Sequence, residues 1–111
     1  MKRFEDKKHL DFVASHGCMI CDMPAEIHHL MHIPLFLFNK QGRRDDRWII
    51  PLCPNHHRTS ITSIHNYGDE FDWCEYYLGR DNNIIISALA FALHSPSDKT
   101  RQSVKDMVKP L

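Results

Sequence analysis

The sequence predicts a single α+β domain in which two short strands lie between an N-terminal helix and a helical C-terminal third. The length of 111 residues is that of one ordinary domain, and neither a repeat nor a long linker divides it. Hydrophobic residues make up 42% of the chain, which is enough for a modest core. The α+β class follows because the strand-like segments are short and the helical segments lie at the two ends.

The first half of the chain holds one predicted helix and two predicted strands. Residues 4–16 have the apolar spacing of a short amphipathic helix that ends at a glycine. Residues 25–30 suit a strand, as do residues 48–50, which are aromatic and β-branched, and we expect Pro51 to end the second strand. The apolar segment 33–38 is predicted to be an irregular loop, because a proline interrupts it.

The second half is predicted to be helical. Pro54 suits the first turn of a helix that carries two consecutive histidines. The next helices are limited by turn and cap residues, namely a glycine after the first, Asn82 or Asn83 before the second and Ser97 before the third. These helices cover 69–78, a run that reaches His94, and 98–109.

The formal charge of the whole chain is zero, with 14 basic and 14 acidic residues. This balance argues against a protein that holds polyanions by bulk charge. The charges are nevertheless uneven, because residues 40–58 carry five basic and two acidic side chains, whereas residues 69–75 carry four acidic ones. A local basic surface is therefore compatible with the neutral total.

The N-terminus does not resemble a secretory signal, because the charged residues 1–8 are followed by no apolar stretch. The apolar runs 33–38 and 84–93 are too short or too interrupted to span a bilayer. We therefore expect a cytoplasmic protein without a membrane partner. In that compartment the four cysteines are expected to be reduced rather than paired as disulfides.

Four residues have the spacing of a structural zinc site, Cys18-x-x-Cys21 and Cys53-x-x-His56. Each two-residue gap lets one turn direct two ligands to one ion, and zinc prefers such thiolate and imidazole donors. The alternative, unrelated core and surface residues, is weakened by the presence of a second pair. Cys74 has no partner at such a spacing and is predicted to be a buried structural thiol.

Histidine is the unusual residue of this chain, with nine copies, six of them between His28 and His65. Neighbouring side chains on a strand point to opposite sides, so one of His28 and His29 can bind an ion while the other faces a substrate water. Together with His57, which follows His56, they suit a second metal site with open positions. The alternatives are polar decoration of the strand, or zinc that binds His57 in place of His56.

These motifs follow one another as Cys18-x-x-Cys21, Ile27-His28-His29-Leu30, Asp46-x-x-Ile49-Ile50-Pro51-Leu52-Cys53-x-x-His56-His57 and His65-x-x-Gly68-x-Glu70. In this order they resemble the HNH endonucleases, and most of all the phage-borne recombination-enhancement (Ref-like) branch. The resemblance covers about residues 17–72 and extends more weakly to the helical tail at about 73–111. It implies one nuclease domain over residues 1–111, built on a ββα-metal (His-Me) finger that is flanked by the N-terminal helix and the helical C-terminal third.

The resemblance implies a role for each motif residue. It assigns the structural zinc to Cys18, Cys21, Cys53 and His56, the general base to His29, and a catalytic Mg²⁺ to His28, His57 and, as third ligand, His65. Imidazole is a softer donor than Mg²⁺ prefers, so Mn²⁺, Co²⁺ or Ni²⁺ can substitute.

The chain departs from the family pattern in two places. Trp48 stands about where the family has its asparagine, which makes Asp46 the candidate for orienting the base. The interval from His57 to His65 is also longer than usual for the family. Glu70 is the candidate for supporting a metal-binding histidine, with a solvated acidic face as the alternative.

These roles imply an endonuclease that hydrolyses phosphodiester bonds in single- or double-stranded DNA with little sequence specificity. The implied setting is phage or prophage recombination in a bacterial cytoplasm, beside a recombinase or another phage protein. The candidate phosphate-binding residues are basic side chains around the second strand, namely Lys40, Arg43, Arg44, Arg47 and Arg58. The alternative for that segment is a solvated loop in which Asp45 and Asp46 neutralise two of the arginines.

Two other functions fit the same motifs. One is a non-catalytic zinc module that binds nucleic acid or a protein, although zinc alone does not require the His28-His29 pair. The other is a related nuclease that acts on RNA.

Overall fold

The computed structural model describes residues 4–31 and 44–108. These residues form helix α1 (Lys7–Ala14), strands β1 (Glu26–His29) and β2 (Ile49–Leu52), and a π-helix (Asn55–Thr59). Four further helices follow, α2 (Ile64–Tyr67), α3 (Glu70–Leu78), α4 (Ile84–Leu93) and α5 (Asp98–Val108). The predicted α+β class is confirmed for the described residues.

The sheet is an antiparallel pair of β1 and β2, with Glu26 opposite Leu52 and His29 opposite Ile49. All four residues of β2 are buried, so this strand lies inside the protein. The strand continues through Pro51 to Leu52, and the prediction that Pro51 ends it is wrong. Proline is tolerated there because both strands of a two-stranded sheet are edge strands.

The hydrophobic core lies around β2. It is made of side chains that are almost fully buried, among them Leu30, Trp48, Ile50, Leu52, Trp73, Ile84 and Val104. These residues come from the sheet region and from α3, α4 and α5, so the helical tail packs on the sheet whose strand β1 carries His28 and His29. Cys74 also belongs to this core, as predicted, and burial raises the pKa of its thiol.

Side-chain acceptors define where several helices begin. The carboxylates of Asp6 and Asp69 accept N–H bonds at the starts of α1 and α3, and the Asn83 side chain does so for α4. The Ser97 hydroxyl accepts the Thr100 N–H at 3.4 Å and begins α5. The caps at Asn83 and Ser97 confirm the predictions. Helix α1 is shorter than the predicted 4–16, because it begins after the Asp6 cap and ends at Ala14, before Ser15.

Some expectations concern residues that the structure does not describe. The predicted loop at 33–38 lies outside residues 4–31 and 44–108, as do Lys40 and Arg43. Within those two ranges, no helix combines the length and the apolar character needed to cross a membrane.

Two candidate metal centres

The structure brings together the four residues that the sequence predicted to hold zinc. Cys18, Cys21, Cys53 and His56, here called the cysteine cluster, place their ligand atoms within 4.8 Å of one another. The Cys21 Sγ lies 3.6 Å from the Cys53 Sγ, and the His56 Nδ1 lies 3.2 Å from Cys53 Sγ and 3.7 Å from Cys18 Sγ. The cluster can therefore hold a metal ion such as zinc.

The distances within the cysteine cluster fit zinc geometry. Zn–S bonds of about 2.3 Å in a tetrahedron separate two sulfur atoms by about 3.8 Å, close to the Cys21–Cys53 distance of 3.6 Å. Burial raises the pKa of the Cys18 thiol, but backbone donors, the amide of Cys53 first, outweigh it and the net pKa shift is downward. A lowered pKa favours the thiolate, which is the form that binds metals.

Three of the predicted histidines form a second group. The ligand atoms of His28, His57 and His65, here called the histidine cluster, also lie within 4.8 Å of one another. The ring centroids of His57 and His65 are 4.4 Å apart, and those of His28 and His57 are 5.1 Å apart. The long interval from His57 to His65 in the sequence therefore does not separate their rings.

The π-helix joins the two clusters. It carries His56 of the cysteine cluster and His57 of the histidine cluster on consecutive residues. A π-helix is uncommon and occurs mostly as a single turn, often at functional sites. Its backbone bonds include Ser60 N–H to the Asn55 carbonyl oxygen, five residues back. The position of one cluster is thus fixed relative to the other.

Carboxylates orient two members of the histidine cluster. His28 Nε2–H donates to Glu70 Oε2 at 2.5 Å, and His57 Nδ1–H donates to Glu26 Oε1 at 2.6 Å. Each bond fixes which ring nitrogen carries the proton and leaves the other nitrogen as a lone-pair donor. Metal-binding histidines usually show this arrangement, in which the second nitrogen donates to a carboxylate or carbonyl oxygen. The cluster has the chemistry of a divalent-cation site.

The protonation of the histidine cluster also suits a cation. Burial lowers the pKa of His57 below its usual 6.5, although its bond to Glu26 opposes the shift. Burial lowers the pKa of His65 as well, and the neighbouring His57 adds to the effect. Both imidazoles are therefore mostly neutral near pH 7, which is the form that ligates a metal ion.

His29, the predicted general base, has a separate partner. Its Nε2–H donates to Asp46 Oδ1 at 2.7 Å, and the Asp46 side chain is 4% exposed. This bond places the proton on Nε2, so Nδ1 carries the lone pair that can accept a proton. Asp46, the residue predicted to orient the base, is in the position to do so.

The predicted phosphate-binding arginines lie in different surroundings. Arg58 is 54% exposed and donates to Glu26 at the edge of the histidine cluster, while Arg44 is exposed and has a positive φ of 52°. Arg47 is buried, binds both oxygens of Asp45 and lies over the Phe4 ring at 4.5 Å. Asp45 therefore neutralises the charge of the buried Arg47, which agrees with the alternative given for this segment and not with phosphate binding by Arg47.

Glu26 was missed as a functional residue from the sequence. It binds both His57 and Arg58, more than 30 residues away along the chain. A signal was nevertheless present, because residues i and i+2 of a strand share a face, and Glu26 therefore shares a face with His28.

We expect Glu70→Gln to weaken divalent-cation binding at the histidine cluster by about 10- to 100-fold. Glu70 is 4% exposed and accepts from both His28 Nε2–H and the Met31 N–H, and a single amide oxygen cannot replace both acceptors. Calorimetric titration of the zinc-loaded protein with Mn²⁺ measures the change. Glu75→Gln, at an exposed position of the same helix, is the matched control. Equal Mn²⁺ affinity in the two variants would contradict the role of Glu70.

Comparison with known protein families gives a match over most of the chain. The family model described as "Protein of unknown function (DUF968)" matches residues 1–94, a range that includes both clusters and the His29–Asp46 pair. No curated protein and no solved structure matches the chain.

Proposed function

Because this match spans residues 1–94 of 111, the chain belongs to the DUF968 family, and we propose that it is a metal-dependent HNH endonuclease that acts on DNA. The observation that carries the proposal is the histidine cluster, in which carboxylates orient two of three imidazoles. The cysteine cluster alone would suffice for a structural module, and it does not explain this second, separately supported set of ligands.

The proposal includes the ββα-metal (His-Me) finger as the architecture of the site. Two antiparallel strands are followed along the chain by the π-helix, and the histidine cluster draws on β1, the π-helix and α2. The cysteine cluster braces the same π-helix through His56. This order of elements supports the resemblance that the motifs show.

The histidine cluster is proposed to hold a divalent cation such as Mg²⁺ or Mn²⁺. When bound, such an ion supplies Lewis-acid stabilisation to the scissile phosphate and the departing 3′ oxygen. The contribution of the protein is to lower the pKa of His57 and His65, which favours their neutral form, and to orient the rings of His28 and His57. Glu70 and Glu26 orient these two rings through the hydrogen bonds described above.

His29 is proposed to activate the attacking water. Nδ1 accepts the proton of the water as its oxygen attacks phosphorus and the bond to the 3′ oxygen breaks. Asp46 holds the Nε2–H and stabilises the positive charge that the ring then carries. An imidazole suits this task because its ordinary pKa of about 6.5 lies near neutral pH.

The substrate contacts are proposed to involve the exposed Arg44 and Arg58. Contacts to phosphates position nucleic acid without reading its bases, so we propose cleavage with little sequence specificity. The resemblance to the Ref-like branch extends the proposal to phage or prophage recombination in the cytoplasm, beside a recombinase.

A cleavage assay tests the proposal. Zinc-loaded protein is incubated with supercoiled plasmid, single-stranded DNA and RNA, with Mg²⁺ or Mn²⁺ and with or without EDTA. We expect metal-dependent nicking of DNA that His57→Ala abolishes. His94→Ala is the matched control, because His94 is an exposed histidine whose Nδ1–H donates to the Ala90 carbonyl oxygen.

The other outcomes contradict the proposal in different ways. Tight nucleic-acid binding without cleavage would indicate a non-catalytic zinc module. Cleavage of RNA alone would make the protein a ribonuclease. Nicking that survives in a folded His57→Ala variant with its zinc retained would show that the histidine cluster is not the catalytic site.

A further inference from the structure

The Asp46 carboxylate, which accepts from His29, also accepts a hydrogen bond from the N-terminal segment. While Asp46 Oδ1 accepts from His29, Asp46 Oδ2 accepts the backbone N–H of Asp6 at 2.8 Å. The Asp46 N–H in turn donates to the Phe4 carbonyl oxygen at 3.2 Å. Asp46 is 3% exposed, so these bonds are shielded from water. The direction of the carboxylate that meets His29 therefore depends on residues 4–6.

The Asp6 side chain is held by Thr100 of α5 and by Ser97, the residue that precedes α5. Asp6 Oδ2 accepts from the Thr100 hydroxyl at 2.5 Å and from the Ser97 hydroxyl, and Oδ1 accepts the His9 N–H at 3.3 Å. Asp6, Ser97 and Thr100 are all buried. Burial raises the pKa of Asp6, but the hydroxyl donors outweigh it and the net pKa shift is downward. The carboxylate thus stays ionised near neutral pH and keeps both hydroxyl donors.

A second contact reinforces the attachment of this segment to α5. The Lys99 ammonium donates to the Glu5 carbonyl oxygen at 2.6 Å and lies 4.9 Å from the centre of the Phe4 ring. Residues 4–6 therefore lie between α5 and the Asp46 segment, and they contact both. The part of this network formed by Asp6, Ser97 and Thr100 is buried, and hydrogen bonds between buried groups favour one arrangement of their members.

We propose that Asp6, Ser97 and Thr100 form a clamp that positions the Asp46–His29 pair. They act through Asp46 and are positioning residues for the base, an inference that rests on the proposed function of His29. The clamp makes the C-terminal helix part of the site, although it lies more than 50 residues from Asp46 along the chain. Without it, the Asp46 carboxylate can turn and the His29 Nε2–H loses its fixed acceptor.

The test removes one hydroxyl without changing the shape of the side chain. Thr100→Val eliminates the bond to Asp6, and Thr100→Ser restores it. Gln102→Ala is the matched control, since Gln102 is an exposed residue of α5 whose amide bonds to Asp106. The first readout is the ¹⁵N-histidine NMR signal of the His29 Nε2–H in zinc-loaded protein at neutral pH. The second readout is the split between kcat and KM for plasmid nicking.

We expect Thr100→Val to weaken or broaden the His29 Nε2–H signal and to lower kcat about tenfold, the effect of one lost hydrogen bond, with little change in KM. Thr100→Ser and Gln102→Ala should resemble the wild type in both readouts. An unchanged signal and kcat in a folded Thr100→Val protein would overturn the clamp. If Thr100→Val does not fold, Ser97→Ala, which keeps the Thr100 bond, is judged by the same readouts.

The two readouts separate this inference from the proposed function. A wild-type protein that cleaves no substrate, but whose His29 signal changes in Thr100→Val, would refute the endonuclease and keep the clamp. A protein that cleaves, with the signal and kcat unchanged by Thr100→Val, would refute the clamp and keep the endonuclease.

Discussion

We expect Cys53→Ala to lose its bound zinc and, with it, its cooperative thermal transition. Cys53 is 5% exposed, and its sulfur lies 3.2 Å from His56 and 3.6 Å from Cys21. An ion held by the cysteine cluster would connect the turn after α1, the end of β2 and the π-helix. Structural zinc contributes about 10–16 kcal/mol to the folding of small zinc modules, as much as the whole stability of a typical domain.

Zinc content and a circular-dichroism melt of the purified protein measure this effect. Cys74→Ala is the matched control, because Cys74 is equally buried but lies outside the cluster. That variant should keep its zinc and lose only about 1–3 kcal/mol of the free energy of unfolding. A Cys53→Ala protein that keeps zinc and melts near the wild-type temperature would show that the cluster holds no structural ion.

The loss of zinc should also weaken divalent-cation binding at the histidine cluster. His56 and His57 are consecutive on the π-helix, so an ion that fixes one fixes the backbone of the other. The hydrogen bond from His57 Nδ1–H to Glu26 of β1 requires this backbone to stay in place. We therefore expect zinc at the cysteine cluster to be a condition for divalent-cation binding at the histidine cluster.

The candidate zinc ligands could be predicted from the sequence because the spacing within each pair is local, whereas His65 was assigned only through the family resemblance. A Cys-x-x-Cys or Cys-x-x-His turn places two donors together whatever the rest of the chain does, and strand alternation separates His28 from His29. Hydrogen bonds between residues that are far apart in the sequence could not be predicted in this way. Glu26 meets Arg58, and Ser97 and Thr100 meet Asp6, only after the helices have packed on the sheet.

Burial was also not visible in the sequence. Arg44 and Arg47 stand in one charged segment, yet Arg44 is exposed and Arg47 lies inside the protein against Asp45 and Phe4. The difference arises because α5 covers this segment, and its Ser103 hydroxyl accepts from the Arg47 guanidinium. Similarly, local signals predicted a helix after Pro54 but not its π type, and this helix places His56 in one cluster and His57 in the other.

We expect His29→Ala to lower kcat for DNA cleavage by about 10²- to 10⁴-fold, the usual contribution of a general base. Divalent-cation affinity should stay unchanged, because His29 is not a member of the histidine cluster. Asp46→Asn should also lower kcat, because Asp46 accepts from both His29 and the Asp6 N–H. An asparagine offers a single oxygen to these two donors, so one loses its acceptor or the His29 ring changes tautomer.

Single-turnover cleavage, with Mn²⁺ affinity measured on the same samples, separates loss of the base from loss of the ion. His16→Ala is the matched control, because His16 is an exposed histidine whose Nδ1–H donates to the Phe12 carbonyl oxygen. A slow His29→Ala enzyme with normal Mn²⁺ affinity indicates a base, whereas a parallel fall in affinity would indicate a metal ligand. A folded His29→Ala protein that cleaves near the wild-type rate would exclude this histidine as the base.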